Sequence, residues 1–499
     1  MSSSSDVPPA DHLQPSTRIG QPAGLTTLFF VELWERFSYY GMRALLILFM
    51  VAPAANGGLD FKISDAAVLY GNYTMAVYLL AISGGFIADR LIGAKNAVIW
   101  GGLVIACGHF ALAVPTLAGF YTGLTLVACG TALFKPNISA LVGGLYSADD
   151  PRRDAGFSIF YMGINIGAFI APLITGFLAQ SATFKSFLAA NGFDPAHSWH
   201  WGFGAAGVGM TIAIIWFMVQ QRRLLGVGEK SELAEGAWRQ ALGVVAGSAV
   251  LLAALLLSDL PAFAFLQYLL VALPLGAIAY FGTRQDFELQ RIGAVFVFFL
   301  GGMIFWAAFE QAGLSIALVA DQLTDNNVAG FDIPSAWYQS LNPLFVMLLA
   351  PIFAAIWLRM GHQQPSTPIK FAMGLALLAS SFLLMVPAAY LTATGKISPL
   401  WLVALFALQT MGELCLSPVG LSAMTKLAPP RMVGLMLGVW FLGAAFGNKL
   451  AGILGTGFTS DDPAQLAVFF GGIAVMTGGA ALAMLLASGW VKSLMNGIR

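Results

Sequence analysis

A chain of 499 residues that is 58% hydrophobic and only 10% charged, with a mean hydropathy of +0.79, is not a soluble globular domain, which carries about 25% charged residues. Lys plus Arg and Asp plus Glu are both 24, so no basic excess points to nucleic acid as a partner. Three cysteines (Cys107, Cys129 and Cys415, all within apolar runs) and five scattered histidines offer neither a disulfide framework nor a metal cluster, and no metal site is expected.

Residues Met1 to about Gly24 are Ser/Pro-rich and polar, lack the pattern of a signal peptide, and read as a disordered cytoplasmic tail. Apolar windows of about 20 residues, the length that crosses a bilayer, then recur between short polar breaks. Six helices are expected near Leu25–Val51, Asp65–Leu91, Ala97–Val114, Ala118–Leu145, Ala155–Gln180 and Trp199–Gln220. Two more follow near Ala237–Leu257 and Ala262–Gly282. The last six fall near Ile292–Ala320, Ser335–Leu358, Ile369–Leu391, Pro399–Leu427, Val433–Gly457 and Ala464–Val491. The expectation is an all-α integral membrane protein of 14 transmembrane helices: an N-terminal six-helix bundle (25–220), a linker with two extra helices (221–288) and a C-terminal six-helix bundle (289–499).

Lys and Arg accumulate in inward loops and so set the orientation. Of the 24, Arg36, Arg43, Lys135 and Lys449 lie within spans, and with a cytoplasmic N-terminus only Lys62, Lys185 and Lys396 fall outside. Both termini are therefore expected in the cytoplasm.

The stretch Phe29 to Met50 is apolar enough to span, yet holds Glu32, Glu35, Arg36 and Arg43. With Tyr39 and Tyr40 these stand at offsets of 3, 4, 7, 8 and 11 from Glu32, one continuous stripe on a helix. Each charge at the bilayer centre costs insertion about 2.5–3.5 kcal/mol, against about 0.3–0.6 kcal/mol returned by an apolar residue. The stripe must therefore face partners or water inside a bundle. With the pair at 237–282 set aside, acids lie on the first helix of each six (Glu32 and Glu35; Glu310) and on the fourth of the second (Glu413), and Lys135 lies on the fourth of the first. Such matching is expected of two repeats around a midplane site; Lys449, on the eleventh helix, stands outside it. Depth along the helices suggests two latches, Arg43–Glu310 in the outer part and Lys135–Glu413 at or below the midplane. Static pairs that only offset desolvation are the other reading of these residues.

The string Glu32-Leu-Trp-Glu-Arg-Phe-Ser-Tyr-Tyr-Gly41 matches the E-x-x-E-R-F-x-Y-Y-G signature of the proton-coupled oligopeptide transporter (POT/PTR) family. The chain resembles that family from about Leu25 to Lys492. Phe134-Lys-Pro-Asn-Ile-Ser, Phe157-Ser-Ile-Phe-Tyr-Met-Gly-Ile-Asn-Ile-Gly, Phe305-Trp-Ala-Ala-Phe-Glu-Gln, Leu341-Asn-Pro-Leu-Phe, Gly412-Glu-Leu-Cys-Leu-Ser-Pro-Val-Gly-Leu-Ser and Gly438-Val-Trp-Phe-Leu follow in family order. Gly84 to Lys95 resembles the Asp-Arg/Gly turn of the major facilitator superfamily. The resemblance implies a major facilitator fold of the bacterial type with two extra helices, in the bacterial inner membrane. It implies a symporter that imports di- and tripeptides by alternating access on a proton gradient, with no cofactor and no obligatory protein partner beyond the lipid bilayer. It also implies pocket aromatics at Tyr40, Tyr78, Trp306, Trp440 and Phe441, positions where a ring serves packing as readily as a pocket wall.

A zwitterionic peptide needs a cationic and an anionic end. Arg36 and Lys135 can hold its carboxylate, Arg36 bidentately through its planar fork. Glu413, helped by Asn165 and Asn342, can take the ammonium, and the amides suit a peptide bond because each both donates and accepts. Ser417, in the motif of Glu413, completes the substrate set. Proton coupling needs a carboxyl that is neutral in one state and ionised in another. Glu32 and Glu35 beside Arg36 fit, since burial and the guanidinium act on them in opposite directions; Lys135, Glu310 and Glu413 complete the coupling set.

The main alternative is a proton-coupled carrier of another anionic or zwitterionic solute, such as nitrate, an amino-acid derivative or a peptide-like drug; Glu413 favours a zwitterion over nitrate. A drug exporter would have little use for the cationic cluster. An integral-membrane enzyme would need a nucleophile–base or metal set, and no catalytic residues are assigned. Gly202-Phe-Gly-Ala-Ala-Gly207 fits G-x-G-x-x-G, but no strand precedes it and its small residues suit close helix packing. No phosphate-loop motif points to ATP.

Overall fold

Apolar runs of this length can satisfy their backbone in lipid only within themselves, so they fold as helices. The structure, a computed structural model, describes residues 20–147, 149–229, 237–256, 276, 289–428 and 433–496. The long helices are α1 (Ala23–Val51), α2 (Ile63–Ile87), α3 (Ala94–Leu112), α4 (Leu117–Gly144) and α5 (Arg153–Gln180), then, after the short α6 (Ala182–Ala190), α7 (Ser198–Gln220) and α8 (Ala237–Leu256). There follow α9 (Leu289–Phe309), the short α10 (Ser315–Leu318), α11 (Leu341–Met360), α12 (Thr367–Leu391), α13 (Leu400–Leu427), α14 (Val433–Gly455), α15 (Pro463–Leu486) and the short α16 (Ser488–Leu494). Among the described residues 11 helical stretches are long and apolar enough to cross a membrane. The helix α1, at 29 residues, is long enough as well but carries the four charges of the stripe. The helix expected near Ala262–Gly282, apart from residue 276, and residues 1–19 of the expected tail lie outside the described residues. Gln21 is already buried, its Oε1 accepting from Tyr146 Oη at 2.8 Å.

The helix expected over Ile292–Ala320 is interrupted. A 3-10 turn at Glu310–Gly313 follows α9, and a π turn at Val319–Leu323 follows α10. Leu314, at φ −122° and ψ −102°, leaves the helical region. Gly313 has no Cβ for a reason: one would stand 2.1 Å from Tyr70 Oη. Irregular backbone in a span is tolerated where protein or a cavity, not lipid, surrounds it.

The chain forms two compact units. The first comprises Met1–Met42, Leu80–Thr175 and His200–Ala249. Its core joins Leu28 and Val31 of α1, Phe134 and Leu141 of α4, and Met210 and Phe217 of α7. Small residues bring α3 and α4 together: a Cβ on Gly130 would stand 2.6 Å from Gly101 O. The second comprises Arg43–Leu79, Gly176–Trp199 and Val250–Arg499. Phe298, Phe371, Phe382 and Phe470 are fully buried there. Gly374 meets Gly412 between α12 and α13, and Gly71 meets Gly452 between α2 and α14.

Candidate functional site

Within the first unit, the stripe of α1 is turned into protein. Glu32 and Arg36 are 4% exposed and Glu35 is fully buried. The fork of Arg36 grips Glu35, Nε to Oε2 at 2.5 Å and Nη2 to Oε1 at 2.7 Å. The same Nε lies 3.2 Å from Glu32 Oε1. Glu32 Oε2 is buried without a hydrogen-bond partner among the described residues. The guanidinium lies 5.3 Å from the ring centre of Tyr39 and 5.9 Å from that of Tyr40. Lys135 of α4 is half-buried and within electrostatic range of Arg36, Tyr40, Glu35 and Glu32.

The helices that hold this cluster approach closely because the motif residues are small. A Cβ on Gly167 of α5 would stand 2.2 Å from Leu33 O and 3.1 Å from Arg36 Cβ. Thr175 Oγ1 donates to Gly41 O at 3.1 Å, tying the same two helices together. Pro136, next to Lys135, removes the amide that would bond Ala132 O. That carbonyl faces Gly84 of α2, where a Cβ would stand only 1.9 Å away. Asn165, 7% exposed, donates Nδ2 to Tyr161 O at 3.0 Å on its own helix.

Within the second unit, Arg43 pairs with Glu310, and its Nε donates to Tyr70 Oη at 2.7 Å. Glu310 opens the 3-10 turn described above, so the break in the helix and the ion pair are one feature. Asn342 of α11 donates Nδ2 to Glu413 Oε2 at 2.9 Å and contacts Thr410 Oγ1 at 3.1 Å. Glu310 is in electrostatic range of Glu413. Trp306 Nε1 is buried without a hydrogen-bond partner among the described residues. Trp440 is packed over Gly302, Gly420 and Phe371, while Phe441 is 46% exposed and Tyr78 and Ser417 are half-buried.

Three partners were not anticipated. Tyr70 seats Arg43, Lys449 donates to Asn72, and Gln311 donates to Ala451 O at 2.9 Å while accepting from Ser315 Oγ at 2.8 Å. The polar string Tyr70-Gly-Asn-Tyr-Thr74 inside an apolar helix was the signal available for the first two.

The family model described as the POT family matches residues 95–467. The chain belongs to the POT family. It is 38% identical to a peptide transporter of Yersinia enterocolitica over 96% of both chains. It is 39% identical to a di-/tripeptide transporter of Lactococcus lactis subsp. cremoris over 85% of this chain and 87% of that one. Among solved structures it resembles a mutant of a peptide transporter POT in complex with alafosfalin. The TM-score there is 0.87 and the identity 37%, with 98% of this chain and 99% of that one covered. This POT-family chain is thus a multi-pass membrane transporter with the major facilitator fold.

Proposed function

We propose that this protein is a proton-coupled symporter that imports di- and tripeptides by alternating access. It would act in the bacterial inner membrane with both termini in the cytoplasm, and it would leave its cargo chemically unchanged. The observation that carries the reading is the buried cluster in which two acids share one guanidinium and one oxygen, Glu32 Oε2, has no hydrogen-bond partner among the described residues. Ionised, Glu32 and Glu35 balance Arg36 and Lys135. A peptide carboxylate adds one negative charge where burial makes an unbalanced charge costly. A proton on Glu32 restores the balance and loosens its hold on Arg36, whose fork then suits the incoming carboxylate. Loss of that proton to the cytoplasm reverses the exchange and releases the peptide.

Glu413, held by Asn342, is an anionic group fit for the peptide ammonium, and a nitrate carrier would have less use for it. Arg43–Glu310, seated by Tyr70, serves as the outer latch. The names of the Yersinia and Lactococcus relatives support peptides as cargo. Liposomes containing the purified protein test this when offered dipeptide, tripeptide, free amino acid or nitrate. Intact di- and tripeptides are expected to accumulate; hydrolysed peptide would indicate an enzyme, and preferential nitrate uptake another carrier.

A further inference from the structure

The helices α11, α12 and α13 and the short α16 bound a cavity of about 910 Å³ that the transport reading leaves unused. All of its described lining residues belong to the second unit, and Glu310, Asn342 and Glu413 are not among them. Lys370, Lys426, Lys492 and His362 stand in its wall, and none of its described lining residues is Asp or Glu. Lys370 Nζ lies 4.5 Å from the centre of the Trp357 ring and donates to Gln364 Oε1 at 2.8 Å. Ser366 caps α12 in position but makes no side-chain cap bond, so the positive end of a 25-residue helix opens on the same space. Three ammonium groups around one cavity repel each other, and a bound anion offsets that repulsion.

We propose that this cavity binds the phosphate headgroup of an anionic phospholipid, with the lysines on the phosphate. Basic pockets between membrane helices recognise such headgroups by charge. The proposal rests on the membrane fold and not on the peptide reading.

Native mass spectrometry of the full-length protein in detergent, titrated with phosphatidylglycerol or phosphatidylcholine, tests it. Phosphatidylglycerol should bind roughly tenfold or more tighter than phosphatidylcholine. The triple variant Lys370→Gln, Lys426→Gln, Lys492→Gln should lose roughly tenfold or more of that affinity, whereas Arg at the same three positions should keep it. Each single Gln variant should lose about threefold to fivefold, which keeps the test decisive even where the triple variant fails to fold. Equal binding of the two lipids, or indifference to the Gln substitutions, overturns the proposal. So does displacement of the lipid by millimolar inorganic phosphate, which would make the site one for a soluble anion. Lipid retention is read without substrate, so its failure and a failure of peptide transport are separate results.

Discussion

Arg36 serves two acids at once, and the shorter contacts go to its sequence neighbour Glu35 rather than to Glu32 one turn away. That the three share a face was readable from offsets of 3 and 4, because such residues are neighbours on a helix. Which acid wins the fork depends on rotamers and on what α5 leaves room for, neither of which spacing encodes. The Glu413–Asn342 contact carries a prediction at the same scale. Glu413→Ala should weaken binding of dipeptides with a free amine by about tenfold to a hundredfold, the worth of a charged hydrogen bond, and should leave an N-acetylated dipeptide unaffected. Equal loss for both in competition assays would show that Glu413 only supports the fold.

At the level of helices, the approach of α5 to α1 depends on Gly167. Gly167→Ala places a Cβ about 2.2 Å from Leu33 O, and overpacking of this kind costs typically about 1–3 kcal/mol. Its melting temperature in detergent should fall, and with it uptake, since Arg36 Cβ is the next neighbour; an unchanged melt would show that the helices slide apart freely. Asp462 caps α15, accepting from the amides of Ala464 and Gln465 at 2.8 and 3.2 Å and from Gln465 Nε2 at 2.8 Å. These bonds, the Gln465 amide first, hold its carboxyl below the usual carboxylate range. The folded value lies below the unfolded one, so this contribution is complete above the ordinary carboxylate pKa and is lost as pH falls through the lowered value. Asp462→Ala should therefore lower the melting temperature at pH 7, by on the order of 1 °C, and the deficit should shrink as pH falls through the lowered value. A deficit of the same size at every pH would contradict the contribution of the carboxylate charge to the cap. The helices themselves were legible as apolar windows, whereas the break at Glu310 was not. Phe305 to Ala320 stays apolar enough to read as one span, and the close approach of Tyr70 to Gly313 inside the break comes from a residue far off in the chain.

For the whole molecule, the count of Lys and Arg gives an orientation that labelling can check. In a background without native cysteines, Lys396→Cys should react with an impermeant maleimide added to intact cells, and Arg359→Cys should react only after permeabilisation; the reverse would invert the topology. The family and the broad placement of intramembrane charge could be read from the chain alone. The partner of Lys449 could not, because Asn72 is 377 residues away and pairings at such distance follow from packing rather than from local pattern. What joins these scales is the claim that one buried acid takes up the proton that admits the peptide. Liposomes bearing wild-type protein or Glu32→Gln, given labelled dipeptide with and without an inward proton gradient, address it directly. Wild type should concentrate dipeptide only with the gradient. Glu32→Gln should lose that concentration yet still exchange labelled for unlabelled dipeptide in counterflow. Full gradient-driven accumulation by the variant would contradict the assignment of the proton to Glu32.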